Sequence, residues 1–500
     1  MSKKTQILLI GIGILLRVIQ LGQVPGSLNR DEVALGYNAY SIATEGIDEW
    51  GVRYPLMFKS FGDYKLPGYI YILTPLVKAF GLNEIIVRLP SLLAGISLIY
   101  LVYLLSQRVG LSKSKSLFAS MLISISPWAI FYSRVGFEAN VGLALFLASI
   151  YFLLKNSTKN TVLGVIFYFL SIATYNTPLL LLPLVLVVIN IFNKNKKQKT
   201  IKSILVTIAA LMWLVKISPL ISQKSGITIF SDPTIIYEQS TNYTNAQNSF
   251  EKLRYNRYVD LGFVVSKNFL SSFSSRFLVT NGGANPWHSI PGKGHINWTL
   301  YVLASYSILK TLINRKSKEN IFYLAIITIG LLPAIVTVDS PHATRSLIFF
   351  VGLVFVSAAN MPKSKIIKSS IITLLFIETI IFSQRYFQGF EKNMSPTWQR
   401  GIKEKINEAK ISYENQNKII INSKAHPYIY VLFYQKVSPT EYVNSVKYYP
   451  KDNAGIELVK SFNTWQFIGD TKDAPENTPI IYQNQNGKFE LISDKSELSR

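Results

Sequence analysis

Long apolar segments separated by short polar stretches run through most of the chain, and this alternation predicts membrane-spanning helices. A helix needs about 20 residues to cross the roughly 30 Å hydrocarbon core of a bilayer. A shorter apolar piece, Tyr69–Phe80, follows one proline and contains another, so it predicts an interfacial helix. The eleven predicted spans are 6–23, 86–106, 116–133, 139–154, 161–176, 179–193, 202–221, 298–313, 320–338, 346–360 and 369–385.

The basic residues between these segments test the arrangement, because cytoplasmic loops of membrane proteins carry an excess of lysine and arginine. If Lys3 and Lys4 lie in the cytoplasm, every second loop should be basic, and it is. The basic loops contain Arg108, Lys113 and Lys115; Lys155 and Lys159; Lys194, Lys196, Lys197, Lys199 and Lys202; Lys310, Arg315, Lys316 and Lys318; and Lys363, Lys365 and Lys368. The remaining loops then face outward, and the longest are 24–85 and 222–297.

The composition changes after residue 385, where the chain becomes polar and rich in tyrosine. With an odd number of spans, residues 386–500 lie outside the cell. Their pattern predicts helices at 397–413 and 427–436 and strands near 418–422, 464–468 and 478–482. We therefore predict a mainly α, polytopic membrane domain over 1–385, followed by a small extracytoplasmic α/β domain over 386–500.

Composition agrees with a membrane protein. Only 16% of the residues are charged, against about 25% in soluble domains. The net charge of +24 sits largely in short runs between apolar segments, whereas a nucleic-acid-binding protein would show a basic patch on a soluble face. The absence of cysteine excludes disulfides and thiol chemistry. Together with the lysine-rich loops, it suggests a bacterial plasma membrane. The first apolar run continues past Leu16 to Arg17 and Gln20 without a small-x-small cleavage site, which predicts an uncleaved first span.

The stretch 29–67 in the first outer loop gathers the most chemistry. Asp31 and Glu32 are adjacent carboxylates beside a membrane surface, where a carboxylate can act as a general base on a hydroxyl. They could equally belong to the capping of the helix that follows. Lys65 could bind a phosphate at headgroup depth or only reach ordinary lipid phosphates. Arg88, at the outer start of the second predicted span, leaves the same two interpretations open.

Two short outer turns also carry charge. The turn 133–140 contains Arg134 and Glu138, which could bind substrate or only pair with one another. The turn 339–345 contains Asp339, His342 and Arg345, and a guanidinium is suited to bidentate phosphate binding. It could also be a simple polar turn. His288 and His295 are too sparse to predict a metal site, and Glu378, inside the last span, has no functional explanation from sequence.

Taken together, these motifs resemble the GT-C superfamily of membrane glycosyltransferases, family 39, which includes protein O-mannosyltransferases and the aminoarabinose transferase of lipid A. The residues that carry the resemblance are Asp31-Glu32, Lys65-Leu66-Pro67-Gly68-Tyr69, Arg88-Leu89-Pro90-Ser91, the turn 133–138 and Pro341-His342-Ala343-Thr344-Arg345. Two positions depart from the pattern. Gly68 stands where relatives often have a second proline, and Tyr64 stands where some have an acid.

The resemblance implies transfer of a sugar from a polyprenyl-phosphate carrier to a hydroxyl of a protein, lipid or glycan at the outer membrane face, with inversion. Asp31 would be the catalytic base with Glu32 beside it. Lys65, Tyr64, Arg88, Arg134, Glu138, His342 and Arg345 would bind the substrate and its phosphate. No cofactor is indicated. A divalent metal stays open, but Tyr64 replaces the acid with which relatives would associate it, which argues against that metal here. The hypothesis requires the acids and cations to share one pocket.

Two other classes of protein stay in consideration. A transporter or lipid flippase would place polar groups near the membrane midplane, often in two similar halves. Here the polar clusters lie at predicted outer helix ends, and no halves are evident. A non-catalytic envelope protein on a transferase scaffold is the third possibility. Release of sugar from a polyprenyl-phosphate donor separates the three.

Overall fold

The computed structural model describes residues 3–61, 63–218, 225–314, 316–394, 396–422, 425–451 and 457–499. Gly62, the end of the predicted span 202–221 and the start of the predicted loop 222–297 lie outside these residues. The helices are α1 (Lys3–Val18), α2 (Arg30–Glu45), α3 (Pro67–Phe80), α4 (Glu84–Arg108), α5 (Lys113–Ser124), α6 (Pro127–Arg134), α7 (Glu138–Leu153), α8 (Thr158–Thr174), α9 (Thr177–Leu180), α10 (Leu182–Phe192), α11 (Lys196–Lys216), α12 (Pro233–Thr244), α13 (Ser249–Arg254), α14 (Arg257–Ser271), α15 (Trp298–Ile313), α16 (Lys318–Ile335), α17 (Leu347–Ala359), α18 (Lys365–Asn393), α19 (Ile402–Ser412), α20 (Tyr428–Gln435) and α21 (Pro439–Ser445).

The strands are fewer and short. They are β1 (Phe58–Ser60), β2 (Asp63–Lys65), β3 (Lys418–Ile421), β4 (Lys447–Tyr448), β5 (Val459–Phe462), β6 (Trp465–Ile468), β7 (Ile480–Gln483) and β8 (Phe489–Ile492). The mainly helical class with a small sheet-containing C-terminal region is therefore confirmed. Helices coincide with all eleven segments predicted to span the membrane.

The chain divides into two compact units. Unit 1 contains Met1–Ile19, Leu93–Ser133 and Glu138–Gln388, and unit 2 contains Gln20–Leu92, Arg134–Phe137 and Gly389–Arg500. The sequence placed the first loop in the membrane domain. In the structure that loop shares a unit with the C-terminal region, because hydrogen bonds and packing contacts tie the two together.

Membrane-spanning candidates belong mostly to unit 1. Among the described residues, α4, α11, α16 and α18 are long and apolar enough to cross a bilayer. The pair α5 and α6, bent by 57° at its break, would make a fifth span. The remaining apolar helices, such as α7 and α8, have 10–17 residues. Length and composition therefore support four or five spans, and the count of eleven stays a prediction.

Two charged side chains of unit 1, buried Arg17 and half-buried Glu378, hydrogen-bond to the ends of helices. The guanidinium of Arg17, which is fully buried, donates to the carbonyl oxygens of Ile123 (3.2 Å) and Ser124 (2.6 Å) at the end of α5. The carboxylate of Glu378 on α18 accepts the amide of Thr299 in the first turn of α15, at 3.3 Å from each oxygen. A helix leaves its first amides without partners, and a carboxylate there is favourable. Glu378 thus has a structural explanation that the sequence did not provide.

Unit 2 is built around α2. The middle of this helix is almost entirely buried, and it packs against α3 and α20. At Gly36 a β-carbon would lie 2.6 Å from the ring of Phe433 and 2.7 Å from Val87, so only glycine allows this approach. The hydroxyl of Tyr37 donates to the carbonyl of Val437 (3.1 Å). Helix α2 is therefore held in place by the C-terminal region.

The C-terminal sheet has the strand order β4-β5-β6-β3-β7-β8, with β3 parallel to both of its neighbours. Strand β3 is buried along its whole length, as expected for the centre of a parallel arrangement. The predicted strands at 418–422, 464–468 and 478–482 correspond to β3, β6 and β7. Strands β4, β5 and β8 were missed because they are only two to four residues long and contain the charged residues Lys447, Lys460 and Glu490.

Candidate functional site

The first turn of α2 is fixed by a capping box. The side chain of Asn29 accepts the amide of Glu32 (3.0 Å), and the carboxylate of Glu32 accepts the amide of Asn29 (3.0 Å). This reciprocal arrangement satisfies two of the free amides at a helix start. The capping interpretation considered from sequence is thus correct for Asn29 and Glu32. It also sets the position of Asp31, which lies between them.

Asp31 and Lys65 form an ion pair, with 2.7 Å between Oδ1 and Nζ. Lys65 ends β2 of a short hairpin, in which it lies opposite Phe58, and Pro67 begins α3 directly afterwards. The Asp31 side chain is 35% exposed and that of Lys65 13%. The structure therefore brings together the predicted base and the predicted phosphate ligand, 34 positions apart, and leaves the carboxylate open to solvent.

The ring of Phe61 lies near this ion pair. The guanidinium of Arg30 lies 4.6 Å from the ring centre of Phe61, and Nζ of Lys65 lies 6.0 Å from it. Phe61 also contacts the ring of His426, with centroids 4.9 Å apart. Tyr64 is half-buried in the same hairpin, opposite Lys59. The surroundings are thus partly apolar, which strengthens electrostatic interactions there.

Glu32 has a different environment. Its carboxylate is fully buried, accepts Nε of Arg88 at 3.0 Å, and accepts the amide of Gly136 at 2.8 Å. Arg88 is also buried, and its remaining nitrogens donate to the carbonyls of Leu21 (2.8 Å), Pro25 (2.8 Å) and Ser27 (3.0 Å). These bonds hold the segment before α2. Glu32 and Arg88 thus both position the loop before α2, and a contact of either side chain with substrate stays a prediction.

Arg134 also hydrogen-bonds to the segment before α2. Its side chain is buried and donates to the carbonyls of Gln20 (3.0 Å) and Val24 (2.8 Å). The resemblance gave Arg88 and Arg134 as substrate or phosphate ligands. In the structure both guanidiniums donate to backbone carbonyls of residues 20–27, and their contact with substrate stays a prediction. The sequence could not distinguish these roles, because a buried arginine and a phosphate-binding arginine occupy similar positions at a helix end.

The second predicted cluster lies in unit 1, in the turn after α16. Arg345 donates to the hydroxyl of Thr337 (2.9 Å) and to the carboxylate of Asp339. Nε2 of His342 lies 3.4 Å from the other oxygen of Asp339, and Nδ1 lies 2.9 Å from the hydroxyl of Thr344. Burial lowers the pKa of His342, chiefly by desolvation, so the imidazole is neutral. His342 and Arg345 therefore meet through one carboxylate.

Tyr175 is a member of this cluster that the sequence did not indicate. It lines a small cavity together with Thr177 and Thr344 and lies within electrostatic range of Arg345 and Glu138. Glu138 begins α7 and is half-buried. The polar run Tyr175-Asn176-Thr177, at the predicted outer turn 176–178, was the only available signal. The proximity of Arg345 and Glu138 to Asp31, which belongs to the other unit, stays a prediction.

A cavity of about 370 Å³ opens beside Arg345. Its polar members are Tyr175, Asn176, Thr177, Thr228, Thr337 and Arg345, and the rest of its wall is aliphatic. The aliphatic residues are Leu179, Leu180, Leu214, Ile217, Ile227, Pro333 and Val336. An apolar cavity with a guanidinium at one side fits an amphiphile that has an anionic head and a hydrocarbon tail.

Glu49 is a buried acid of unit 2 that the sequence did not indicate. The carboxylate of Glu49 is 1% exposed and accepts bonds from Asn38, Trp50 and Tyr428, each at 3.3 Å. Desolvation raises the pKa of Glu49 to about 8, and the neighbouring charge of Asp48 adds to the shift. Nothing in the local sequence distinguished this residue from an exposed loop acid.

In the described part of the chain, no three His, Asp or Glu side chains group as a metal site would require.

Part of the chain matches a known protein family. Residues 65–222 match the family described as dolichyl-phosphate-mannose-protein mannosyltransferase. No curated protein sequence matches the chain. The family match confirms the predicted resemblance to GT-C glycosyltransferases of the protein O-mannosyltransferase and aminoarabinose-transferase kind, and together with the apolar helices it indicates an integral membrane protein.

Solved structures give distant likenesses. The archaeal oligosaccharyltransferase AglB from Archaeoglobus fulgidus, in complex with an inhibitory peptide and a dolichol-phosphate, is 14% identical with a TM-score of 0.45, covering 86% of this chain and 63% of that one. ArnT from Cupriavidus metallidurans bound to undecaprenyl phosphate is 10% identical with a TM-score of 0.42, covering 97% and 94%. This chain thus spans less than two thirds of the oligosaccharyltransferase chain.

Proposed function

We propose that this protein is a membrane glycosyltransferase that moves a sugar from a polyprenyl-phosphate carrier to an acceptor hydroxyl. The observation that carries the proposal is the ion pair of Asp31 and Lys65, a half-exposed carboxylate held against an ammonium group by two elements distant in sequence. Glycosyl transfer from a lipid phosphate needs a base for the acceptor and a cation for the leaving group. This pair supplies one of each.

The reaction that we propose begins with exchange of partners at Lys65. When the anionic phosphate of the donor arrives, the ammonium group moves from Asp31 to a phosphate oxygen, and the carboxylate becomes available to the acceptor. Asp31 takes the hydroxyl proton as the acceptor oxygen bonds to the anomeric carbon. The bond from that carbon to the phosphate oxygen breaks, and polyprenyl phosphate leaves. Attack opposite to the leaving phosphate inverts the anomeric carbon.

The cavity beside Arg345 supports the choice of carrier. Its aliphatic wall offers burial for isoprenoid units, and each buried methylene contributes about 0.8 kcal/mol. Arg345 is 18% exposed and already lies against one carboxylate oxygen of Asp339, so it can also donate to phosphate oxygens. We propose that this cavity binds the lipid phosphate, with Tyr175 and Glu138 near the sugar. His342 and Thr344 would position these groups.

The orientation and the partners are also part of the proposal. We propose that the N-terminus is cytoplasmic and that Asp31, Lys65 and residues 386–500 face outward, in a bacterial plasma membrane, with a protein, lipid or glycan as acceptor. Single cysteines at 31, 65, 138 and 342 should then react with an impermeant reagent from outside, while cysteines at 113 and 197 should not. The natural chain has no cysteine, so no background labelling competes.

The decisive measurement uses the full chain in lipid nanodiscs with labelled polyprenyl-phosphate sugars. Asp31→Asn should reduce transfer by about 10²- to 10⁴-fold, the range for loss of a general base, without changing membrane insertion. Asp470→Asn removes an exposed carboxylate of the C-terminal region and should leave transfer unchanged. Near-normal transfer by Asp31→Asn would remove Asp31 from the mechanism.

A further inference from the structure

The segment 233–271 exposes an unusual number of large apolar side chains. This segment contains α12, α13 and α14, and six of its side chains are more than half exposed: Tyr237, Phe250, Leu253, Tyr258, Phe263 and Leu270. Exposure reaches 83% at Tyr258 and 78% at Phe250. Single exposed apolar residues need no explanation, but a group of this size on one short segment indicates a contact with something apolar.

Its attachments place this segment at the end of a helix long enough to cross the bilayer. The side-chain amide of Asn268 in α14 donates to the carbonyl of Ile335 (2.9 Å), the last residue of α16. On the other side of the segment, the amide of Ile229 donates to the carbonyl of Val336 (3.1 Å), and Thr228 forms a bridge with Thr337. The C-terminal end of a spanning helix lies at headgroup depth. The 233–271 segment is tied to that level at both ends.

The charge on the last two helices fits an anionic surface. Residues 249–271 contain four basic side chains, Lys252, Arg254, Arg257 and Lys267, and two acids. Of the acids, Asp260 pairs with Arg254 (2.9 Å) and with the amide of Gln239, and Glu251 accepts the amide of Gln247. Lys252 and Lys267 are exposed. Basic side chains beside exposed aromatic and leucine residues are typical of helices that lie in the membrane interface.

We propose that the 233–271 segment lies within the lipid headgroup layer, with its exposed aromatic and leucine side chains among the upper acyl carbons and Lys252 and Lys267 at lipid phosphates. Ile227 and Thr228, directly before it, line the cavity beside Arg345. The segment therefore fixes one wall of that cavity at the depth where a lipid head enters. This inference concerns membrane contact and does not depend on the proposed reaction.

Single-cysteine variants at 250, 258 and 270, each carrying an environment-sensitive fluorophore, test the proposal in phosphatidylglycerol–phosphatidylethanolamine nanodiscs. A spin label on a shallow acyl carbon should quench these positions about twofold more than a deep label, because interfacial helices insert about 5–10 Å. Position 374, an exposed leucine of α18, should show the reverse, and position 411, an exposed isoleucine of the C-terminal region, should be quenched only by aqueous iodide. Iodide quenching at 250, 258 and 270 without lipid quenching would overturn the proposal and indicate a surface for a soluble partner.

The role of the basic side chains is tested by Lys252→Gln with Lys267→Gln. Shallow-label quenching at position 258 should weaken in anionic nanodiscs and stay unchanged in zwitterionic ones. Equal quenching by the variant and the parent chain in anionic lipid would contradict the electrostatic contact while leaving the apolar insertion in place. Arg254→Gln serves as a comparison, since its guanidinium already lies on Asp260 and 4.0 Å from the ring centre of Phe263.

Discussion

Two ion pairs start from neighbouring residues of α2, and they differ in what they can do. Asp31 meets Lys65 at a half-exposed site, whereas Glu32 meets Arg88 where neither side chain is more than 1% exposed. We propose that the partly exposed pair exchanges one partner for a substrate. The buried pair is excluded from water and held on both sides, because its carboxylate also accepts two backbone amides and its guanidinium donates to three carbonyls.

This comparison shows why adjacent acids should not be assigned the same role. A buried ion pair is costly to form, and removing one partner leaves an uncompensated charge. An exposed ion pair contributes only about 0–1 kcal/mol to the free energy of unfolding, so its residues can take part in chemistry with little effect on stability. Arg345 resembles the exposed case, since its partner Asp339 is 43% exposed. Substitution should therefore affect mainly stability at the buried pair and mainly transfer at the exposed one.

The largest effect is expected for Glu32→Ala. The variant leaves Arg88 buried without its carboxylate and removes the acceptor for the amide of Gly136, which should destabilise the fold by about 3–5 kcal/mol. We expect a loss of the monodisperse peak in size-exclusion chromatography after mild heating. The matched variant is Asp31→Asn, one residue away, which should keep the parent melting temperature.

The opposite result would sharpen the comparison in another way. If Glu32→Ala folds as stably as the parent chain and loses transfer, Glu32 contacts substrate, as the sequence analysis predicted. The structural role assigned to it would then be wrong, and the two acids would act together.

Sequence predicted the secondary structure better than the roles of charged residues. Helices coincide with all the segments that apolar length and basic loops predicted, because a bilayer imposes a simple length rule on such segments. Whether an arginine is buried depends on which carbonyls face it, as with Arg88 and Arg134, and those carbonyls belong to residues more than 60 positions away. Tyr175 and Glu49 were missed for the same reason.

The second-largest effect is expected for Lys65→Met. The variant keeps the length of the side chain but removes its charge, so transfer at low donor concentration should fall by about 10- to 100-fold, or about 1.4–2.7 kcal/mol, if the ammonium group binds phosphate in the transition state. Donor titration with a labelled polyprenyl-phosphate sugar measures it. Lys59→Met is the control, since Lys59 lies in the same hairpin but pairs with Glu457 and sits 3.7 Å from the ring centre of Trp50. A rise in transfer by Lys65→Met would mean that Lys65 only restrains Asp31.

Glu49→Gln should change how stability depends on pH. The pKa of Glu49 is raised to about 8, so the folded state holds a proton that the unfolded state releases above its ordinary value near 4.5. Stability from this group is therefore present at low pH and decreases as pH rises towards 8, by about 1.4 kcal/mol per pH unit.

The buried histidines determine the pH range in which the effect of Glu49 can be measured alone. Burial lowers the pKa of His295 to about 3 and of His426 to about 4, and their neutral folded forms lose stability as pH falls below 6.5. Between pH 6.5 and 8 only the Glu49 effect remains among these groups, about 2 kcal/mol. Thermal unfolding of the parent chain should become easier across that interval, and Glu49→Gln should flatten the profile. Parallel profiles would show that Glu49 is ionised in the folded protein.

The smallest effect is expected for Asn29→Ala, which removes the N-cap of α2. Loss of such a cap costs about 1 kcal/mol, because the amide of Glu32 loses its acceptor. Ser317→Ala removes a comparable cap from α16, where the serine accepts the amide of Asn320 at 3.1 Å, and should lower the melting temperature similarly. Only Asn29→Ala should also reduce transfer, since its capping box fixes the turn that carries Asp31. If the two variants lose stability equally and both keep full transfer, the position of Asp31 does not depend on the cap.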